Sequence, residues 1–296
     1  MNFQSLNNEI IKEILKTNIN TLQPLCNPLE PSKNGDWLWD HKESGQTFQE
    51  YLQRKPVLPR GKRRILYIQP LGVFSNIQRK IITLTAKFMG CFFNLLIVIK
   101  EDISLSNIPL YAQRTHPSWG DLQILTTYIL RKILKQRIPK DAVAYVAFTA
   151  SDLWPGRRWN FVFGQASLTN RVGVFSIYRN GNPHLTENDF QRCLLRTIKT
   201  GTHEVGHIFS MEHCILNECL MNGANSQEES DRKPLTCCPE CMAKICWATR
   251  TSPIHRFEKL IKFCKDYGFD NEARTYKKLV SVLTASKPNQ STYLSY

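Results

Sequence analysis

The segment at residues 203–213, HEVGHIFSMEH, holds three histidines and a glutamate at spacings that only one kind of backbone satisfies. On a helix with 3.6 residues per turn, His203 and His207 project from the same face, so both imidazoles can reach one ion. His213 cannot come from the same helical turn. The helix must therefore end between His207 and His213, and the chain must fold back beneath the ion.

The residue types of this segment indicate catalytic zinc. Three neutral imidazoles leave one position of a tetrahedral zinc ion open to water, which separates catalytic sites from closed structural ones. Glu204 lies beside the histidine face but is angled away from it, which suits a general base that contacts a zinc-bound water and not the zinc. The plain alternative, ordinary helix histidines, fits His203 or His207 taken singly but not the full set.

Four cysteines follow directly and predict a second metal site. Cys214 and Cys219 form a pair, and a C-x-x-C knuckle follows further along at Cys238 and Cys241. Four thiolates with a short knuckle are typical of a closed structural zinc site. Cys237 competes with Cys238, although the knuckle that begins at Cys238 has the better geometry. We expect two zinc ions per chain, one catalytic and one structural, and buried thiols at the remaining cysteines.

Apolar periodicity predicts an α/β fold ahead of these motifs. Strands and helices alternate in the order βαβαβ, which favours a mostly parallel sheet with flanking helices. A capping pattern at Thr186 and Asp189 opens the active-site helix. The predicted elements are strand 65–69, helix 77–88, strand 92–99, helix 122–134, strand 143–148, short strands 161–163 and 172–177, and helices 254–263 and 273–283.

These elements divide the chain into four segments. Residues 1–60 form an N-terminal helical arm and an irregular linker, and residues 61–213 form a catalytic core that ends with the active-site helix and the third ligand. Residues 214–284 form a structural-zinc and C-terminal helical subdomain. Residues 285–296, rich in polar residues, form a flexible tail.

Composition and charge argue against several other classes of protein. The formal charge of +14 attracts phosphate backbones, but the basic residues are dispersed and no nucleic-acid motif accompanies them. The longest apolar stretch, 89–99, is far shorter than the roughly twenty residues of a spanning helix. The acidic, amphipathic start is not a signal peptide, and thiols kept available for zinc favour the cytoplasm or the nucleus. We expect a monomer that binds neither membrane nor nucleic acid.

The motifs also carry a family resemblance. The sequence HEVGHIFSMEHC, followed by Cys219, Met221 and the Cys238-Pro239-Glu240-Cys241 knuckle, resembles the archaemetzincin pattern of metzincin peptidases. The stretch from Trp159 to Ser176 is similar to the family's segment ahead of the active-site helix.

The resemblance reaches from about Ile65 to about Lys262 and leaves out the arm and the tail. It implies a metzincin-like mixed, mostly parallel sheet, the same four cysteine ligands, and a methionine, Met221, in a turn under the catalytic zinc. Metzincins place glycine where this chain has Ser210. A non-glycine residue in the left-handed backbone of that turn costs roughly 1 kcal/mol or more.

We therefore expect a zinc metallopeptidase that hydrolyses peptide bonds through a zinc-bound water activated by Glu204. By the resemblance, an edge strand at Phe161–Ala166 or Val172–Ser176 pairs with an extended substrate. The sequence names no pocket, so endopeptidase and aminopeptidase action both stay open. The alternatives are a zinc-stabilised interaction protein with little or no activity and a basic nucleic-acid-binding zinc protein. Retention of Glu204 disfavours the first, and the dispersed charge disfavours the second.

Other polar residues have weaker signals. Asp152 follows a predicted strand and is as compatible with a functional group as with a turn cap. Residues that have no partner at metal spacing are expected at the surface: His41, His116, His184 and His255. Candidates for bonding the second ring nitrogens of the histidines are Glu187, Asp189 and Glu212.

Overall fold

The computed structural model describes residues 3–157 and 159–286, in which helices flank two sheets. The strands are β1 (Ile65–Leu71), β2 (Leu96–Ile99), β3 (Gln113–Thr115), β4 (Leu122–Leu125), β5 (Ala142–Thr149), β6 (Asp152–Trp154), β7 (Gly164–Ala166) and β8 (Val172–Ser176). The helices are α1 (Asn8–Leu22), α2 (Trp37–Asp40), α3 (Phe48–Gln53), α4 (Asn76–Phe93), α5 (Thr126–Tyr128), α6 (Lys135–Arg137), α7 (Glu187–Ile208), α8 (Gln227–Arg232), α9 (Pro239–Thr249), α10 (Pro253–Asp266) and α11 (Asp270–Ala285). A π-helical segment, Ile129–Leu134, joins α5 to α6. The predicted tail lies outside the described residues from residue 287 onward.

The main sheet has the strand order β2-β1-β5-β8-β7. Its first four strands are parallel, and β7 runs antiparallel to β8 at the edge. Every residue of the central strand β5 is buried, which is typical of a parallel strand covered on both faces. The prediction of a mostly parallel α/β sheet with flanking helices is confirmed.

The predicted strand 92–99 is wrong at its start. A capping box formed by Ser75 and Gln78 opens α4, and the helix continues through Phe93. Asn94 then adopts a left-handed conformation with φ 49°, which ends the helix, and β2 begins only at Leu96. The apolar run therefore contains the end of a helix and a strand. Both present apolar side chains to the core, so hydrophobicity alone could not separate them.

The predicted helix 122–134 is also wrong at its start. Residues Leu122–Leu125 form β4, which pairs with β3 and β6, and helical backbone begins at Thr126. Short apolar runs fit either period, and here pairing with distant strands decides. The predicted strand 161–163 is not a strand; the edge strand begins one residue later, at Gly164.

The two faces of β5 belong to different clusters of buried side chains. Ala144, Val146 and Phe148 pack into the larger cluster, which also holds residues of α4, α7 and the C-terminal helices. Tyr145 and Ala147 face a smaller cluster built with residues of the π-helical segment. The larger cluster also contains Phe3 and other arm residues, so a single core joins the arm, the main sheet and the C-terminal helices.

The arm is fixed to the C-terminal part by polar contacts as well as by α1. A capping box of Thr47 and Glu50 opens α3, and the backbone N–H of Phe48 donates to the Glu240 carboxylate at the start of α9. The buried ammonium of Lys244 donates to the Gln46 carbonyl. These contacts hold residues 46–48 of the arm against α9. Across the described residues, no helix combines the length and the apolar content that crossing a membrane requires.

Candidate metal centre

Helix α7 places two of the histidines and the glutamate. Thr186 caps its start by accepting from the Asp189 N–H, as expected, and the last turns of the helix are buried against the main sheet. His203 and His207 lie on one face with ring centroids 4.6 Å apart. Glu204 is 6% exposed. The helix therefore presents these groups on rigid backbone at the wall of a cleft.

The chain then folds back as the spacing requires. Helix α7 ends at Ile208, and Ser210 adopts the left-handed conformation with φ 65°. The ring centroid of His213 returns to within 5.2 Å of His203 and 4.8 Å of His207. One nitrogen from each ring belongs to a group in which all atoms lie within 4.8 Å of one another.

The ring nitrogens have an arrangement that suits a cation. His203 Nδ1 lies 3.0 Å from the Leu220 carbonyl oxygen, and His207 Nδ1 lies 2.7 Å from that of Met211. A carbonyl only accepts, so both Nδ1 atoms carry the proton and both Nε2 atoms present lone pairs. These two Nε2 atoms face each other at 3.0 Å. Ligands of one tetrahedral zinc ion lie about 3.3 Å apart, so the site fits zinc.

Burial sets the protonation of these groups. It lowers the pKa of His203 well below its ordinary value and that of His207 to about 3. Both rings are therefore neutral at physiological pH, the form that binds metal. Burial raises the pKa of Glu204 to about 8, and the charge of Lys233 opposes this shift.

The ring of His213 is oriented by the arm. Its Nδ1 lies 3.0 Å from each carboxylate oxygen of Glu43, and Trp37 Nε1 donates to the same carboxylate at 3.0 Å. Burial alone would raise the pKa of Glu43, but the hydrogen bonds with His213 and Trp37 outweigh it and lower the pKa. The carboxylate is therefore ionised and accepts a hydrogen bond from the Nδ1–H of His213, which leaves the other ring nitrogen free to bind metal.

The predicted partners of the histidine rings are corrected by these contacts. The rings bond two carbonyls and Glu43, whereas the Glu212 carboxylate pairs with Arg54. Glu187 and Asp189 belong to the first turn of α7 and lie far along the helix from the site.

Two glycines allow close approaches around Glu204 and the turn below. A Cβ on Gly164 would lie 2.6 Å from Glu204 Cγ, so only glycine lets the edge strand run this close to the carboxylate. A Cβ on Gly206 would lie 2.6 Å from the sulfur of Met221. Met221 is buried directly beneath the helix that carries the histidines, and its carbonyl accepts from the Cys214 N–H at 2.8 Å.

The four predicted cysteines converge as a second group. The sulfurs of Cys214, Cys219, Cys238 and Cys241 all lie within 4.8 Å of one another, and all four residues are buried. Cys214 Sγ and Cys238 Sγ are 3.6 Å apart without a disulfide, close to the spacing of about 3.8 Å on a zinc tetrahedron. Cys237 is only partly buried and is not in the group.

The hydroxyl of Ser210 ties the turn to two other segments. It donates to the Leu168 carbonyl at 2.9 Å and accepts from the Val57 N–H at 3.1 Å. The Ser210 carbonyl accepts from Gln46 Nε2 at 3.2 Å. Ser210, which stands where metzincins have glycine, therefore connects the turn to the arm and to the loop after β7.

The histidines open onto a cavity of about 680 Å³. Edge strand β7 forms one wall, and residues of α7 and of the segment after Met221 form another. The arm closes one side: the rings of His41 and Trp159 stack at 5.5 Å, and Trp37 lies edge-on to His213 at 4.9 Å. Lys233 also lines this cavity.

Several single residues depart from expectation. His41 lines the cavity and His116 is buried under Trp119, so neither is a plain surface histidine, while His184 and His255 are exposed. Asp152 is buried in an ion pair with Arg179 at 2.7 Å. Sequence reasoning missed Glu43, Gly164 and Lys233, because no local pattern connects them to the histidines.

Comparisons with known proteins identify the family of the chain. A sequence model described as Peptidase family M54 matches residues 97–246. Archaemetzincin-2 of Rattus norvegicus is 34% identical over 300 residues, covering 90% of this chain and 83% of that protein. Archaemetzincin of Archaeoglobus fulgidus is 31% identical over 180 residues, covering 61% of this chain and 98% of that protein. A crystal structure of archaemetzincin from Methanopyrus kandleri shares the fold, with a TM-score of 0.51 and 24% identity over 65% of this chain and 97% of that one.

The fold, the converging histidines and these matches define a zinc-dependent metallopeptidase. The chain belongs to peptidase family M54, the archaemetzincin family. The match to the rat protein covers more of the chain than the region from Ile65 to Lys262 that the motifs indicated.

Proposed function

We propose that this metallopeptidase hydrolyses peptide bonds in the cleft beside α7, with Glu204 as the general base. The observation that carries the proposal is the convergence of three ring nitrogens beside a carboxylate that borders the same cavity. A purely structural site has no use for that carboxylate. The same observation disfavours an interaction protein.

His203, His207 and His213 would hold the catalytic zinc. When bound, zinc supplies a Lewis acid that polarises a carbonyl oxygen and lowers the pKa of water. Glu204 takes a proton from the attacking water and returns it to the leaving amine. The α7 backbone and the closely packed Gly164 fix the position of the Glu204 carboxylate.

The substrate would add to the main sheet at β7. The expectation left Phe161–Ala166 and Val172–Ser176 open as edge segments, but β8 is enclosed between β5 and β7. Strand β7 is the outer strand and lies directly over Glu204. Backbone hydrogen bonds from β7 would align an extended peptide along the cleft, in the manner of strand addition. This arrangement, together with Met221 beneath the helix, is metzincin-like.

The four cysteines would hold a second, structural zinc, which gives two ions per chain. Cys214 adjoins His213, and the carbonyl of Leu220, next to Cys219, orients His203. The cysteine site would therefore fix both ends of the loop that carries these groups. Reduced thiols are required, so we place the protein in the cytoplasm or the nucleus.

The four segments predicted from the sequence, divided at residues 60, 213 and 284, are retained as functional divisions. The shared hydrophobic core argues against reading them as units that fold separately. We also propose that a single chain is the active unit, because the described residues of one chain supply all the groups assigned to the site.

Metal analysis and peptide cleavage test the function together. Purified protein should contain two zinc ions per chain, and a chelator should remove the histidine-bound ion first because that site has an open position. Cleavage of a broad peptide library should stop with the loss of the first ion and return when zinc is added back. A stoichiometry of one ion would remove one site, and a fully loaded protein that cleaves nothing would overturn the proposed activity.

A further inference from the structure

One of the residues that line the cavity is a lysine, Lys233. Lys233 follows α8 and lines the cavity together with Thr200, Glu204 and Ser230. Its ammonium has three N–H donors, and it donates one hydrogen bond, to the Asn222 carbonyl at 3.1 Å. In the described parts of the chain, no carboxylate forms an ion pair with it.

The neighbouring carboxylates act on the charge of Lys233 from a distance, and those of the described residues form no ion pair with it. Glu229 is one of the acids that act on its charge, but its two oxygens accept from the backbone N–H groups of Trp37 and Asn225 at 2.9 and 2.7 Å. Asp40, which also lines the cavity, accepts from Asn225 Nδ2 at 2.9 Å. Two other groups raise the pKa of Lys233: Glu204, which is assigned to proton transfer, and the thiol of Cys219.

Lys233 lies in the same cavity as Glu204 and close enough to act on its charge. Thr200 is four residues before Glu204 and therefore on the same face of α7. Lys233 borders both, and its charge lowers the pKa of Glu204 and of His203. Burial lowers its own pKa to about 8, so it remains cationic at neutral pH. Lys233 is half-buried and borders the cavity, so its remaining N–H donors are available to an acceptor on a ligand.

We propose that Lys233 is a specificity-determining residue that binds a carboxylate of the substrate beside the scissile bond. The inference rests on the proposed function, since Lys233 can bind a substrate carboxylate only if a peptide binds in this cleft. The carboxylate has two possible sources on a peptide, an Asp or Glu side chain or the free C-terminus. The shared chemistry is an anionic oxygen pair that accepts from the ammonium of Lys233.

The test uses four peptide pools that differ only in their carboxylates. The pools carry Glu or Gln at one fixed position, each with a free or an amidated C-terminus. Wild-type, zinc-loaded protein should cleave the carboxylate-bearing pools with kcat/KM roughly ten- to hundredfold higher than the neutral one, the effect of one charged hydrogen bond. A preference that follows Glu identifies the side chain, and one that follows the free terminus identifies the C-terminus.

Variants assign the preference to Lys233. Lys233→Met should abolish it mainly through KM, and Lys233→Arg should restore most of it. Lys199→Met is the matched control, because Lys199 is a buried lysine nearby that also donates to a carbonyl, that of Asp231 at 3.2 Å, but does not line the cavity. It should keep the wild-type preference. If Lys233→Met lowers kcat for all four pools alike, the residue acts through Glu204 and the inference fails.

A binding measurement separates this inference from the proposed activity. Zinc-loaded Glu204→Gln protein is mixed with each pool, and retained peptides are quantified by mass spectrometry. Enrichment of carboxylate peptides that is lost with Lys233→Met supports the site even if wild-type protein cleaves nothing. Cleavage without any carboxylate preference overturns the inference and leaves the peptidase standing. If the protein shows neither cleavage nor enrichment, both the inference and the proposed activity are overturned.

Discussion

The histidine centre and the cysteine centre adjoin in sequence at residues 213 and 214 but are built in different ways. The four cysteines are buried, and Cys219 Sγ accepts from the N–H groups of Met221 and Cys238 at 3.4 and 3.3 Å. The histidines instead border a cavity, and His207 and His213 are only partly buried.

The supports of the two centres differ in the same way. The cysteine centre is held by residues close to its own loop. The histidine centre also depends on groups far away in the sequence: Gly164 of the edge strand and Glu43 of the arm. An open centre must leave one side free for substrate, so its remaining ligands need support from elsewhere in the fold. We expect damage to the closed centre to affect folding and damage to the open one to affect chemistry.

The largest expected effect comes from Cys238→Ser. Structural zinc binding is coupled to folding and is worth about 10–16 kcal/mol in small zinc peptides, so losing a ligand should destabilise the chain by several kcal/mol. Cys246→Ser is the matched control, because Cys246 is equally buried but lies outside the cluster. His203→Ala should release the histidine-bound ion and leave the fold standing. Thermal unfolding of the variants tests this. A Cys238→Ser protein with the melting temperature of wild type would show that the cysteine centre does not stabilise the fold.

The next effect concerns chemistry alone. Glu204→Gln preserves the size of a side chain that is not a ligand, so both metals and the melting temperature should be unchanged. Loss of general acid-base assistance should lower kcat by roughly 10²- to 10⁴-fold. Steady-state kinetics and zinc analysis of the same preparation check this. Turnover at the wild-type rate, or loss of the histidine-bound ion, would show that Glu204 has another role.

The two candidate metal groups could be predicted from the sequence because local backbone rules bring their members together. His203 and His207 follow from helical periodicity, and the short C-x-x-C knuckle at Cys238 and Cys241 marks a metal pair. The sheet could be predicted for a similar reason, since the central strand is buried and is apolar from Ala142 to Phe148. Boundaries failed where one apolar run held two elements, as at Phe93 and Leu96.

The supports were not readable, because tertiary packing alone creates them. Glu43 lies 170 residues from His213 in the sequence and belongs to a segment with no motif. Gly164 has an obligatory role only because Glu204 packs against it. Lys233 is one basic residue among the 39 lysines and arginines of the chain, and only the fold shows that it faces the cavity.

A smaller effect should follow from loosening one distant support. Glu43→Gln keeps the shape and an acceptor oxygen but removes the charge that orients His213. Loss of such a partner typically weakens metal affinity about 10- to 100-fold. Zinc competition with a chromophoric chelator should show this for the histidine-bound ion only. Glu212→Gln is the control, because that carboxylate adjoins His213 in sequence but pairs with Arg54. Equal weakening by both variants would mean that general charge, and not orientation, matters.

The smallest effect tests the turn between the two centres, at Ser210. Its left-handed backbone favours glycine by roughly 1 kcal/mol, whereas its hydroxyl makes two hydrogen bonds worth about 1 kcal/mol each at most. Ser210→Ala keeps the strain and loses the bonds, so it should lower the free energy of unfolding by about 1–2 kcal/mol. Ser210→Gly also loses the bonds but relieves the strain, so it should be about 1 kcal/mol more stable than Ser210→Ala and closer to wild type.

Denaturant unfolding of the three zinc-loaded proteins measures this order, and zinc affinity of the histidine centre measures its consequence. If the hydroxyl positions the turn, both variants should bind the histidine-bound zinc more weakly than wild type, even where glycine restores stability. If the Ser210→Gly protein matches wild type in both free energy of unfolding and zinc affinity, the contacts of the hydroxyl with Leu168 and Val57 do not support the histidine centre. Stability would then depend on the backbone alone, and the arm would act on the histidines through its other contacts, such as that of Glu43 with His213.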